Sequence, residues 1–401
     1  MEFSMKQICV LGLGYIGLPT SSMLATKGFN VLGVDVNPKV VETINKGKIH
    51  ITEPDLDLFV KAAVGSGRLR AAIAPEASDA FIIAVPTPFK EGHKADMTFV
   101  EAAVQSILKV LKPGNLVILE STSPPKTCTD IIAPILATVG LKAGKDVFLA
   151  HCPERVLPGQ IMREVVENDR IIGGVTPECA LQAKRLYESF VKGRIFLTDA
   201  TTAEMTKLVE NSYRDVNIAF ANELSMICEK LGLNVWELIS LANRHPRVNI
   251  LRPGPGVGGH CIAVDPWFIV EACPDEARLI KSARVVNDDK PHHVVKRIRE
   301  ASEKFKKPVI GLLGLAYKQD IDDLRESPAV EIAKIVSDSN VGEVLVCEPY
   351  CRDHAKFKLY PLDEVLQHSD ILVLLVPHKQ FRDVDRKILK SKVVIDPCGI
   401  W

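Results

Sequence analysis

A short apolar run ending in a glycine turn restricts this chain more than any other feature. Residues 7–17 read QICVLGLGYIG, a strand-like segment that meets Gly12, Gly14 and Gly17 at the spacing GxGxxG. A helix-like stretch, LPTSSMLATKG, runs to Gly28, and NVLGVD then predicts a second strand closing on Asp35. GxGxxG alone is a weak signal. Strand, turn, helix, strand and terminal acid in that order describe the first unit of a doubly wound dinucleotide-binding sheet. The glycines permit a tight turn and a close approach of a pyrophosphate to a helix N-terminus. Asp35 is placed to accept hydrogen bonds from adenosine ribose hydroxyls and to repel a 2′-phosphate, which selects NAD over NADP.

Further strands are predicted at AFIIAVPTP (80–88), NLVILESTS (115–123) and VFLAHCPE (147–154). Thr87, Thr122 and Glu154 lie at or just beyond their C-terminal ends, where an open parallel sheet binds ligands. Each of these residues could instead cap a following helix. The pattern recurs near the C-terminus. KPVIGLLGLAYK (307–318) is a strand into a glycine turn, EVLVCEP (343–349) ends on Glu348, and DILVLLVP (370–377) and KVVIDPCG (392–399) complete a second set. Gly311 and Gly314 are present in that turn and the third glycine is not. Two nucleotide-type domains result, one for a dinucleotide and one for a nucleotide-linked substrate.

Between them, residues 201–232 carry no internal Pro or Gly before Gly232 and predict one long helix. Its second half is apolar nearly all round (Val216, Ile218, Ala219, Phe220, Leu224, Met226, Ile227), which places it in a core or a subunit interface. Lys207, Asn211 and Arg214 share a face at i, i+4, i+7. Downstream, GPGVGGHCIAVDPW (254–267) is too rich in Gly and Pro for a regular element, so it is a shaped loop that presents Cys261. A thiolate beside a nicotinamide site suits two successive oxidations. It adds to an aldehyde, the adduct is oxidised to a thioester, and water releases an acid. Cys261 could otherwise be an inert turn residue, and Asp265 an N-cap with Pro266 in the first helical turn.

Composition excludes other classes. With 50 basic and 50 acidic side chains the formal net charge is zero, so neither a nucleic-acid nor a membrane-surface partner is expected. No apolar run approaches the roughly 20 residues of a membrane span, and no signal-peptide pattern opens the chain. Ten scattered cysteines without CxxC or Cys/His spacing point to a reduced, cytoplasmic protein with no metal site.

The glycine turn, Lys207 with Asn211, and the Cys261 loop together resemble the UDP-glucose/GDP-mannose dehydrogenase family. The blocks AVPTPF, CPERVLPGQ, DVNIAFANELS, NRHPRVNIL and DDLRESPA are similar to its branch acting on UDP-N-acetyl-D-mannosamine, and the likeness covers essentially the whole chain. It implies an α/β protein with two Rossmann-like doubly wound domains joined by a long central helix and a helical dimerisation domain. The boundaries are 1–200 (NAD), 201–300 (dimerisation and catalysis) and 301–401 (UDP-sugar). The implied activity is oxidation of a C6 alcohol to an acid for cell-surface polysaccharide precursors. The N-acetylglucosamine epimer is the alternative substrate, and a catalytically dead nucleotide-sugar sensor is the non-enzyme alternative. The resemblance makes Cys261 the nucleophile, Lys207 and Asn211 the stabilisers of substrate oxygen, and Asp265 the group that orients water. Gly12, Gly14, Tyr15, Ile16, Gly17, Asp35, Thr87, Thr122 and Arg325 are implied for NAD. Glu154, Arg155, Val156, Lys207, Asn211, Arg214, Gly258, Tyr317 and Lys318 are implied for the UDP-sugar, with His245 and Arg247 reaching it across a homodimer. Pro158 stands where the UDP-glucose branch has a second glutamate, which argues against UDP-glucose.

Overall fold

The structure, a computed structural model, describes residues 5–259 and 261–401. Two compact units divide the chain, Met1–Val209 and Glu210–Trp401.

In the first unit the strands are β1 (Gln7–Leu11), β2 (Asn30–Val34), β3 (Leu69–Ala72), β4 (Ala80–Ile83), β7 (Leu116–Leu119), β8 (Phe148–His151), β9 (Arg170–Gly174) and β10 (Ile195–Asp199). The two-residue strands β5 (Phe89–Lys90) and β6 (Lys94–Ala95) form a separate antiparallel pair. The main sheet has the order β10-β9-β8-β7-β4-β1-β2-β3, parallel except where β8 meets β9. From β3 to β8 this is the doubly wound order, whose direction reverses between β1 and β4. Side chains alternate across the sheet. Ile8, Val10, Ile82 and Ile118 enter one core, and Cys9, Leu11, Phe81, Ile83 and Val117 enter the other. Burial of both faces explains why these strands are continuous apolar runs. It also makes Cys9 inert, since desolvation pushes its thiol up to about 12.

The second unit holds a four-stranded parallel sheet, β12-β11-β13-β14, formed by β11 (Val309–Leu313), β12 (Glu343–Cys347), β13 (Ile371–Leu374) and β14 (Val393–Ile395). Ile310 and Leu312 pack on one side, Leu313 and Leu372 on the other. β4, β7 and β8 end at Ile83, Leu119 and His151, short of the predicted segments 80–88, 115–123 and 147–154, and this leaves Thr87, Thr122 and Glu154 on loops beyond the sheet.

A single helix, Ala200–Leu231, follows β10 as the residue pattern predicts. From Tyr213 onward it is not covered all round within the chain. Tyr213, Phe220 and Ile227, at intervals of seven, are 69%, 52% and 45% exposed. Among the described residues no helix is long and apolar enough to cross a membrane.

Candidate active site

The glycine turn of the first unit is built to its sequence. Gly12 has φ +90°, and a Cβ there would lie 2.5 Å from the Ala84 carbonyl oxygen at the end of β4. A Cβ on Gly17 would collide with the Gly12 carbonyl, so the turn and the helix Gly17–Thr26 close on each other. A Cβ on Gly14 would meet no protein atom within 4 Å, so its side opens outward beside the helix N-terminus. Tyr15 is exposed and Ile16 occupies the N-cap position. Asp35 follows β2. One carboxylate oxygen accepts from the Leu13 N–H at 3.1 Å and the other from the Asn37 N–H at 2.9 Å. The acid is thereby tied to the turn it serves, and the cradle fits a dinucleotide with free ribose hydroxyls.

The loops after the strands are cross-braced. Thr87 donates its hydroxyl to the Thr122 carbonyl at 2.6 Å, which joins the loops following β4 and β7. Glu154 is held twice, by the Arg155 N–H at 2.7 Å and by the Arg170 guanidinium at 2.9 Å. Arg170, buried in β9 and lying 4.9 Å over the Tyr187 ring, carries no sequence motif and escapes a sequence reading. Behind it, burial pushes the Glu120 carboxyl up to about 7, although the Arg170 charge opposes the shift and Tyr187 donates to it at 2.5 Å. Arg155 donates to the Asp169 carbonyl at 3.0 Å, and Val156 packs against the core. Lys207 is half-buried on the long helix, one turn before Asn211.

In the second unit Asn211 donates to Asp265 at 2.5 Å, and both side chains are buried. Asp265 is the first residue of the helix Asp265–Ala272 and not its N-cap, which is Val264. Its carboxylate is engaged by the Asn211 amide, and its N–H, with that of Val264, is satisfied by the Cys261 carbonyl at 2.9 and 3.1 Å. Cys261 is exposed on the turn so formed.

The glycine loop before it is clamped from two sides. Gly254 N–H donates to the buried Asn222 Oδ1 at 2.9 Å, and Asn222 donates to Asn287 Oδ1 at 2.9 Å. Asn287 in turn donates to Asp215 at 2.8 Å, and Asp215 pairs with buried Arg284 at 2.6 Å. Asp215 and Asn222 fall in the DVNIAFANELS block, but nothing in that block marks them as holding a loop, and only the burial and hydrogen bonds of all four reveal the network. On the other side, Gly259 has φ +84°, and a Cβ there would stand 2.8 Å from the Tyr317 ring. A Cβ on Gly258 would clash with the Glu326 carbonyl and lie 2.9 Å from Tyr317 Cβ. The fold thus brings Gly258 to Tyr317.

Lys318 is exposed beside Tyr317, and Arg325 is exposed with a bidentate pairing to Asp323 at 2.9 and 2.7 Å. Arg214 is exposed, so the helix stripe is split: Asn211 faces inward and Arg214 outward. His245 and Arg247 are exposed together, and the Arg247 N–H donates to His245 Nδ1 at 3.3 Å. Glu348 follows β12 as Asp35 follows β2, and it too accepts from its glycine turn, from Leu315 N–H at 2.6 Å and Ala316 N–H at 3.0 Å. Burial opposes ionisation of Glu348, but these bonds and that from His378 hold its carboxyl below the usual range. In this turn only Gly314 takes a left-handed φ, +95°, because Gly311 lies within β11.

Comparison with known proteins matches the same segments. Residues 6–191 match the NAD binding domain of the UDP-glucose/GDP-mannose dehydrogenase family, 201–289 its central domain and 311–401 its UDP binding domain. The chain is 56% identical to an NDP-N-acetyl-D-galactosaminuronic acid dehydrogenase of Ralstonia solanacearum, over 100% of this chain and 97% of that one. It is 52% identical to the UDP-N-acetyl-D-mannosamine dehydrogenase of Escherichia coli (strain K12), over 99% and 100%. The solved UDP-N-acetyl-mannosamine dehydrogenase Cap5O from S. aureus superposes with a TM-score of 0.91 at 44% identity, over 98% of this chain and 95% of that one. Together with the glycine cradle, these matches make the chain an NAD-dependent nucleotide-sugar dehydrogenase, a member of the UDP-glucose/GDP-mannose dehydrogenase family.

Proposed function

We propose that this enzyme oxidises the C6 alcohol of UDP-N-acetyl-D-mannosamine to UDP-N-acetyl-D-mannosaminuronic acid through a covalent intermediate on Cys261. The observation that carries the reading is the Cys261–Asp265 turn. It offers an exposed thiol immediately before a helix whose first carboxylate is buried and oriented by Asn211. NAD, when bound, accepts the hydride at each oxidation. Cys261 sulfur adds to C6 of the aldehyde as the carbonyl oxygen takes a proton. After the second hydride leaves, the thioester carbon takes a water oxygen, and the sulfur departs as thiol. The Lys207 ammonium stabilises the oxygen that gains negative charge, Asn211 assists it, and Asp265 orients the water. Glu154, Arg155, Val156, Arg214, Gly258, Tyr317 and Lys318 hold the nucleotide sugar. Tyr15, Ile16, Thr87, Thr122 and Arg325 contact the cofactor.

The manno epimer is supported by the Escherichia coli and S. aureus relatives named for it, while Pro158 in place of a second acid argues against UDP-glucose. The Ralstonia relative favours a second reading, a substrate of the N-acetylgalactosamine series. The active unit is a homodimer formed through the exposed Tyr213–Phe220–Ile227 stripe, an apolar surface suited to a second copy. His245 and Arg247 then serve the partner's substrate.

A substrate panel with NAD tests the reading. UDP-N-acetyl-D-mannosamine should turn over fastest among the N-acetylhexosamine epimers, with about two NADH formed per sugar. Cys261→Ser should stall as an ester whose added sugar-nucleotide mass is visible by mass spectrometry. Preference for a galacto substrate would replace the manno assignment. Two NADH per sugar from Cys261→Ala at the wild-type rate would refute the covalent route.

A further inference from the structure

Within the core of the first unit three unlike ligating side chains meet. Cys128 lies in the helical segment Thr127–Ile132, His151 ends β8, and Glu204 lies near the start of the long helix. One ligand atom from each lies within 4.8 Å of the others, and all three residues are fully buried. The Glu204 oxygens accept the Lys126 N–H at 2.6 Å and the Cys128 N–H at 2.8 Å, so its carboxylate is fixed in direction and keeps further lone pairs. His151 is the anomaly. Its ring is completely buried, yet neither nitrogen has a hydrogen-bond partner among the described residues. A buried imidazole costs free energy unless something engages it.

We propose that Cys128, His151 and Glu204 form a structural metal site for a zinc-type divalent cation. Thiolate, imidazole and carboxylate are the donor set of such an ion, whereas magnesium and calcium take oxygen ligands. Charge supports the assignment. One thiolate and one carboxylate neutralise a divalent cation, so the occupied site places no net charge in the core.

Tetrahedral zinc with ligands at about 2.0–2.3 Å needs donor atoms roughly 3.3–3.8 Å apart, so the trio closes by up to about 1.5 Å. The fourth position falls to a water or a main-chain oxygen. Occupied, the site staples β8 and the 127–132 segment to the start of the helix that carries Lys207, one turn beyond Glu204. The ligands are too far apart in sequence to show a metal-binding spacing, so the expectation of no metal site had no means of registering them.

The test uses the full chain expressed in zinc-supplemented minimal medium and purified by gel filtration in EDTA. Mass spectrometric metal analysis should find about one zinc per chain. Protein grown with cobalt instead should show a thiolate-to-cobalt absorption band in the near ultraviolet. Cys128→Ser should abolish the band, and both Cys128→Ser and His151→Gln should lower metal content at least tenfold. Wild-type chain from both cultures with less than about a tenth of a metal ion per chain would overturn the proposal. So would metal content equal in wild type and either soluble variant. If neither variant is soluble, the wild-type metal content and cobalt spectrum decide alone, and a cobalt-loaded wild type lacking the thiolate band also refutes it.

Discussion

Asn222 supplies the sharpest test of how the fold aims Cys261. It is fully buried on the long helix and touches no proposed reacting atom, yet it accepts from Gly254 N–H and donates to Asn287, each at 2.9 Å. Asn222→Leu keeps the volume and the helix propensity and removes both bonds. It leaves the buried Asn287 amide oxygen and the half-buried Gly254 N–H without these partners, at roughly 1–3 kcal/mol for the first and less for the second. A combined loss of about 3 kcal/mol lowers the melting temperature of a unit this size by roughly 6–12 °C. The functional effect is separable. The glycine loop stays packed on Tyr317 but loses its hold on the helix, so Cys261 shifts relative to Asn211 and Asp265. A displacement near 1 Å costs roughly 10²-fold in rate. The assay is steady-state NADH formation at 340 nm well below the variant's melting temperature, with NAD affinity measured separately. A kcat fall of about 10–100-fold with unchanged NAD affinity is expected. Asn222→Asp, which can still accept from Gly254, should recover part of it. If Asn222→Leu melts early but keeps wild-type kcat, the network is structural only and the positioning argument is wrong.

Other expectations are simpler to check. On the proposal that the Asp35 carboxylate, held by Leu13 and Asn37, repels a 2′-phosphate, Asp35→Ala should raise the NADP/NAD preference ratio; wild-type enzyme that already uses NADP as well as NAD would contradict this. Glu120 has its carboxyl raised from 4.5 to about 7, so the folded state binds the extra proton and stability is lost as pH rises through that interval. Glu120→Gln should therefore be more stable than wild type by about 3 kcal/mol at pH 8 and no more stable near pH 4.5, and a pH-independent difference in denaturant titrations would refute the assignment. Phe220→Asp should shift the enzyme from dimer to monomer in light scattering, because it places a charge in the middle of the exposed apolar stripe; a wild-type monomer with full activity would remove the dimer reading.

What the residue order determined by itself was local or periodic. Continuous apolar runs were enough to predict β1, β4, β7, β11 and β13, because a sheet buried on both faces demands them. Gly12 and Gly17 were legible because the βαβ turn leaves no room for a side chain, and the long helix because nothing in it breaks one before Gly232. The exposed stripe was not legible. Periodicity cannot say which part of an apolar helix its own chain will cover, and Phe220 and Ile227 stay half exposed. Spacing alone placed Asp265 as a helix cap. The tertiary structure instead spends its carboxylate on Asn211 and leaves the capping position to Val264. Arg170 behind Glu154, Asn222 behind the glycine loop, and the Cys128–His151–Glu204 cluster were invisible for the same reason. Each depends on contacts between residues distant in the chain, and side-chain type and spacing carry no record of which distant groups folding brings to hydrogen-bond distance.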